Sequence, residues 1–177
     1  MDHWNFLGGK IERDESPAAS ARRELAEEAG IHSSAVRTHF RGLALWPHEE
    51  DRGTLVGMYL FTAALSRSPR RVAQTFLFEE GILAWWSATE LQDGRAGALV
   101  PNLELLLEEF FSRSRTPRLT LMWHGPNDQI RTEQVALPKR LRSAAAWPLG
   151  PAALRPGFLF GQSGASDQDC ILVLPTT

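Results

Sequence analysis

The chain has 177 residues, 43% of them hydrophobic and 23% charged, with a formal net charge of -2 and one cysteine, Cys170. That length allows one domain with a real core, or a small domain and a tail. The weak charge excludes broad electrostatic binding to a nucleic-acid polymer. The apolar runs are too short to span a bilayer, and a lone cysteine cannot close an internal disulfide, so a reducing, cytoplasmic setting is expected. The opening MDHWNF lacks the basic-then-apolar pattern of an export signal.

In chain order, Ser16-Pro17 predicts a helix start, with Ser as N-cap and Pro at the first helical position. Ala, Arg, Glu and Leu carry the helix to Ala29, and Gly30 is its C-terminal stop. Residues 36–46 and 54–65 predict two strands of a hairpin, joined by the polar turn HEEDRG. SRSPRR (66–71) is expected as an exposed basic loop, and residues 81–91 as a strand running into a Ser/Thr-started turn. Leu103, Leu106, Leu107, Phe110 and Phe111 recur at helical spacing and predict one helix over 101–114. Residues 118–137 predict a second hairpin around Pro-Asn-Asp. From Pro138 on the chain is rich in Ala, Pro and Gly without periodicity. It is expected as an irregular tail whose last piece, CILVL (170–174), has strand character.

The first helix is chemically unusual. Glu24, Glu27 and Glu28 are spaced i, i+3, i+4 and share one face, while Ala18, Ala21, Leu25 and Ala29 form a neighbouring face able to pack on a sheet. Three adjacent carboxylates repel one another, and they lie toward the helix end where the dipole disfavours negative charge. Something cationic is needed there. Two sources are open: a hard divalent ion held through oxygen, or the helix's own Arg22 and Arg23 on a solvated face.

The surrounding pattern decides more. From Gly9 the chain reads Gly, five residues, Glu15, seven residues, Arg23-Glu24-Leu25, one residue, Glu27-Glu28, one residue, Gly30-Ile31. This resembles the Nudix box of the Nudix (MutT-like) hydrolases at every specified position. A chance match has odds of roughly one in a billion per starting point. The resemblance runs more weakly to about residue 137. It implies an α/β/α sandwich around a mixed central sheet, here N-terminally truncated, with a domain at 1–137 and a tail at 138–177.

It also implies hydrolysis of a nucleoside diphosphate linked to another group, with Mg2+ (Mn2+ as the alternative) and a small-molecule nucleotide as partner, leaving the oligomeric state open. In this chain the resemblance makes Glu27 and Glu28 metal ligands, and Glu24 a ligand or the group that activates water. Arg23 is implied as a structural residue paired with Glu24 or Glu15. The Gly8 carbonyl is implied in the metal shell, and Glu80, with Glu79 as fallback, as a further acidic ligand. Lys10 stands either near phosphate oxygens or as a surface lysine. Two further alternatives are a non-catalytic nucleotide-sensing module on the same fold and a truncated, inactive fragment.

WNxxGGK resembles the lead-in to the box in the branch that hydrolyses oxidised purine nucleotides such as 8-oxo-dGTP, which makes Asn5 a candidate base reader and Trp4 its packing neighbour. VPN (100–102) resembles a loop in which that branch carries Trp-Pro-Asp. Val100 replaces the stacking ring and Asn102 the acid, so a general purine triphosphate substrate stands beside the oxidised one. Trp46, Trp85, Trp86 and Trp123 are expected mainly in packing. The family normally has strands ahead of the Gly-Gly loop, and only about seven residues stand there. A late start, decay, or replacement by the 170–174 strand are the competing accounts, and a late or truncated start is the favoured expectation.

Overall fold

The protein is seen in a computed structural model that describes residues 3–32, 34, 36–51, 53–65, 75–78, 81–112, 114, 116–137, 156–161 and 170–176. The basic stretch 66–71 and the acids Glu79 and Glu80 lie outside the described residues.

The elements are β1 (His3–Phe6), α1 (Pro17–Ala29), β2 (Val36–Pro47), β3 (Leu55–Leu65), β4 (Thr75–Phe78), β5 (Gly81–Ser87), α2 (Ala88–Gln92), α3 (Pro101–Glu104), α4 (Leu107–Phe111), β6 (Arg118–His124), β7 (Ile130–Ala136), β8 (Pro156–Gly161) and β9 (Cys170–Thr176). A mixed five-stranded sheet has the order β7-β6-β2-β3-β8, and a four-stranded sheet has the order β1-β9-β5-β4. In the first, β2 runs parallel to β6 and β3 parallel to β8, while the two hairpins are antiparallel. In the second every pairing is antiparallel.

Local chemistry sets most of these elements. The Ser16 hydroxyl accepts the Ala19 N–H at 3.2 Å and starts α1. Gly30 ends it in the left-handed region (φ +64°), its N–H bonded to the Ala26 carbonyl at 3.1 Å. Between β2 and β3, Asp51 accepts the Gly53 N–H at 3.0 Å and the Thr54 hydroxyl, closing a tight polar turn. Ser87 ends β5 and caps α2 reciprocally with Glu90.

Three regions differ from the sequence reading. The helix expected over 101–114 is two short pieces. Bonds from Leu103 to Val100, Leu106 to Leu103 and Glu109 to Leu106 span three residues, while those from Phe110 to Leu106 and Ser112 to Glu108 span four, so the segment mixes a tighter winding with α-helical turns. Leu103, Leu106, Leu107, Glu109 and Phe110 are its buried residues. Second, β4 is an unforeseen strand beside β5. Third, within the segment read as an irregular tail, residues 156–161 form an unforeseen strand, while 170–176 form the strand whose character was expected, and each joins a sheet.

The core is split across β3 by strand alternation. Tyr59, Phe61 and Ala63 pack with Ala21 and Leu25 of α1, with Ala18 and Ala29 partly buried beside them. Leu60 and Met58 pack with Leu103, Leu106, Leu107 and Phe110 of the α3–α4 segment and with Ala44 and Met122. Helices thus cover both faces of the mixed sheet, the α/β/α arrangement. Among the described residues no helix is long and apolar enough to cross a membrane.

A β-bulge interrupts the β2–β3 ladder between Phe40 and Gly42. Gly42 is the close-approach point between β2 and β6, since a Cβ there would lie 2.0 Å from the Arg118 carbonyl oxygen. Gly42→Ala is therefore expected to lower the unfolding free energy by about 1–3 kcal/mol in urea titrations, the usual cost of overpacking; an unchanged midpoint would contradict this packing.

Candidate active site

α1 gathers its charges on one guanidinium. Each nitrogen of Arg23 donates: Nε to Glu15 Oε2 at 3.3 Å, Nη1 to Glu24 Oε1 at 2.9 Å and to Glu27 Oε2 at 2.8 Å, and Nη2 to Glu15 Oε1 at 2.8 Å, to the Lys10 carbonyl at 3.0 Å and to Ser20 Oγ at 3.0 Å. The pairing with Glu15 is bidentate. Glu15 also accepts the Glu12 N–H at 2.8 Å, and Ser20 Oγ donates to the Lys10 carbonyl at 3.3 Å. One cation thus ties the loop before the helix (Lys10, Glu12, Glu15) to two successive turns of it.

Electrostatics follow from this geometry. The Arg23 hydrogen bonds, then the Glu12 N–H, hold the Glu15 carboxyl down at about 2. Arg23 itself is raised well above its ordinary range, chiefly by Glu15. Glu24 moves the other way: burial lifts its pKa, with Arg23 opposing and Glu27 adding to the rise. It is the most enclosed of the three helix glutamates, 8% exposed. A Cβ on Gly9 would lie 2.1 Å from Glu24 Oε1, so only glycine leaves room for this carboxylate against the loop. Glu27 is exposed and Glu28 half-buried with its Oε2 enclosed.

The remaining candidates are distributed as follows. Gly8 lies in the loop between β1 and α1. Lys10 contributes its carbonyl to the network and exposes its side chain. Among the described residues no three His, Cys, Asp or Glu side chains are gathered into a ready metal cage; Glu15, Glu24 and Glu27 turn toward Arg23 instead. The donor set is nevertheless carboxylate and backbone carbonyl oxygen around a cradle that any Cβ would fill, which is the ligand chemistry of a hard divalent cation.

A cavity of about 760 Å³ opens elsewhere on the molecule, lined by Trp46, His48, Val100, Asn102, Met122 and Trp123 among others. Asn102 Oδ1 is buried there without a hydrogen-bond partner among the described residues. Asn5 is not in its lining. On β1, Trp4 and Phe6 face the α3–α4 cluster, and alternation places Asn5 on the opposite face. Trp4 packs edge-on against Trp86 with ring centroids 5.6 Å apart, and Trp85 joins the α1 cluster. The sequence reading missed Ser20, fully buried behind Arg23, whose signal was its place one turn before the arginine. It also missed the β6 contribution of Met122 to the cavity wall, which no local pattern marks.

A family model for the NUDIX domain matches residues 1–109, more than half of the chain. The chain belongs to the Nudix family. Comparisons with curated proteins and with solved structures returned no match. Nudix proteins are in general hydrolases of nucleoside diphosphates linked to another group, working with divalent cations. In this Nudix chain the matched span contains the whole Arg23 network and ends within α4.

The depressed Glu15 carboxyl has a pH signature. Its contribution to stability is complete above the ordinary carboxyl value of 4.5 and is lost as pH falls toward about 2. Glu15→Gln should therefore lower the melting temperature at pH 7, and the gap to wild type should close progressively between pH 5 and pH 2. A gap independent of pH would show that Glu15 acts through shape and not charge.

Proposed function

We propose that this Nudix protein hydrolyses the pyrophosphate link of a purine nucleoside triphosphate, oxidised or not, giving the nucleoside monophosphate and pyrophosphate. The observation that carries this reading is the enclosed Glu24, seated on Gly9 and flanked through Arg23 by Glu27. Glu24, Glu27 and Glu28, with the Gly8 carbonyl, would hold Mg2+ or Mn2+. When bound, such an ion neutralises the polyphosphate and acidifies a water molecule.

The chain's own residues do the rest. Arg23 fixes the rotamers of Glu24 and Glu27 before substrate arrives, so little reorganisation is needed at the moment of reaction. Glu24 has two roles open to it, ligand or acceptor of the water's proton. The water oxygen bonds to the phosphorus of the nucleoside phosphate as the bond to the bridging oxygen breaks, and the electron pair leaves with pyrophosphate. In-line positioning dominates the rate of such a step. Lys10, exposed on the loop beside the network, would meet phosphate oxygens. The aromatic-walled cavity supplies a slot for the base, with the Asn102 amide as its polar reader; an amide offers donor and acceptor without titrating. Asn5, on the other face of β1, takes a secondary part in this reading.

The test is direct. Purified protein with Mg2+ is incubated with dGTP, 8-oxo-dGTP and ADP-ribose, and the products are separated by chromatography. Monophosphate and pyrophosphate are expected from the purine triphosphates. Glu27→Gln should cut turnover by about 100-fold or more while costing only about 0–1 kcal/mol of stability, because Glu27 is an exposed partner of Arg23. Binding of a nucleotide without cleavage would replace this reading with a sensing module.

A further inference from the structure

β1 has one ladder partner among the described strands. It lies at the edge of its sheet and pairs only with β9: His3 with Thr176, Trp4 with Pro175, Asn5 with Leu174 and Phe6 with Val173. Beyond that ladder, Trp4 exchanges two backbone hydrogen bonds with the 98–100 loop, at 2.9 and 3.0 Å. β9 is anchored in turn on β5, from Ser87 opposite Cys170 to Ala84 opposite Val173. β1 passes directly into Leu7, which is fully buried, and then into Gly8 and Gly9, where Gly9 has no space to spare beside Glu24. The placement of that loop along the strand is therefore set by the β1–β9 register together with the two Trp4 bonds to the 98–100 loop. A slip of one residue would carry the loop about 3.3 Å and turn Trp4 and Phe6 away from the α3–α4 cluster.

We infer that β9 is a positioning strand for the carboxylate site: its ladder to β1 holds the Gly8-Gly9 loop against Glu24, so the C-terminal segment belongs to the working centre. The family match ends at residue 109, well before this strand. The inference rests on the proposed function in taking the carboxylates to hold a divalent cation, and not on the reaction. The place of β9 and its effect on cation affinity are read without turnover.

The register separates two contacts. Leu174 is laddered to β1 and Ile171 to β5. Proline at either position removes one backbone N–H. In the full chain, Leu174→Pro should weaken Mg2+ binding, measured by calorimetry, about tenfold or more, whereas Leu174→Ala, which keeps the N–H, should bind as wild type. Ile171→Pro should cost more melting temperature than Mg2+ affinity. Equal affinity losses in the two proline variants, tracking their melting temperatures, would overturn the inference.

A second measurement stands even where a proline variant fails to fold. Facing residues of antiparallel strands lie within disulfide reach. His3→Cys with Thr176→Cys, in a Cys170→Ser background, should oxidise to a bridge within one chain, seen by non-reducing electrophoresis and peptide mapping, and the bridged protein should retain wild-type Mg2+ affinity. No bridge, a bridge joining two chains, or a bridged protein that no longer binds Mg2+ would reject the placement. A bridged protein that binds Mg2+ but hydrolyses no nucleotide would count against the proposed reaction alone.

Discussion

The local structure of the site depends on a single buried-edge cation. The Arg23 guanidinium satisfies Glu15 in a fork, draws in Glu24 and Glu27, and reaches back to the Lys10 carbonyl. Without a positive charge at that point, the carboxylates of Glu15, Glu24 and Glu27 would stand close together and repel one another. With it, the preceding loop is stapled to the helix, and two of the acids are fixed in orientation. Lysine could not replace it, because a point charge on a flexible stem lacks the planar set of donors that addresses so many acceptors at once.

The rigidity of this network matters because its two sides come from different parts of the fold. The helix side is local in sequence and capped at both ends. The loop side hangs on β1, and β1 hangs on a strand from the far end of the chain. Gly9 is the point where the two meet, with no room for a single extra carbon. The site is thus sensitive to sheet registration in a way that a motif confined to one helix would not reveal.

What could be read from the sequence divides along the same line. The limits of α1, the β2–β3 turn and the β6–β7 hairpin were legible because caps and turn residues encode them within a few positions: Ser16, Gly30, Asp51 and Pro126. The acidic face was legible from spacing alone, and the box pattern named the family. The break in the helix over 101–111 was not, because leucines spaced by three and four do not mark where bonds spanning four residues give way to bonds spanning three. β8 was hidden, and the partners of β9 were not fixed, for a different reason. Their partners lie far away in the sequence, β5 being the nearest and pairing Ser87 with Cys170, and neither strand carries a turn or cap signal that points there. Asn5 does not line the cavity, since a motif fixes sequence position but not which face of the strand a side chain meets.

The bulge at Arg41 ties distant parts of the molecule in another way. Arg41 is buried, and its Nη2 donates to the carbonyls of Glu109 and Ser112 at the end of α4. Glu109, buried beside Arg118 at 3.5 Å, is pushed toward the protonated state by its burial, with Arg118 and then Arg41 opposing. A helix of five residues has too few internal bonds to persist alone. It acquires its terminal partners only when β2 delivers a side chain from 68 positions upstream. The helix in this corner therefore depends on contacts distant in sequence and not on its own length.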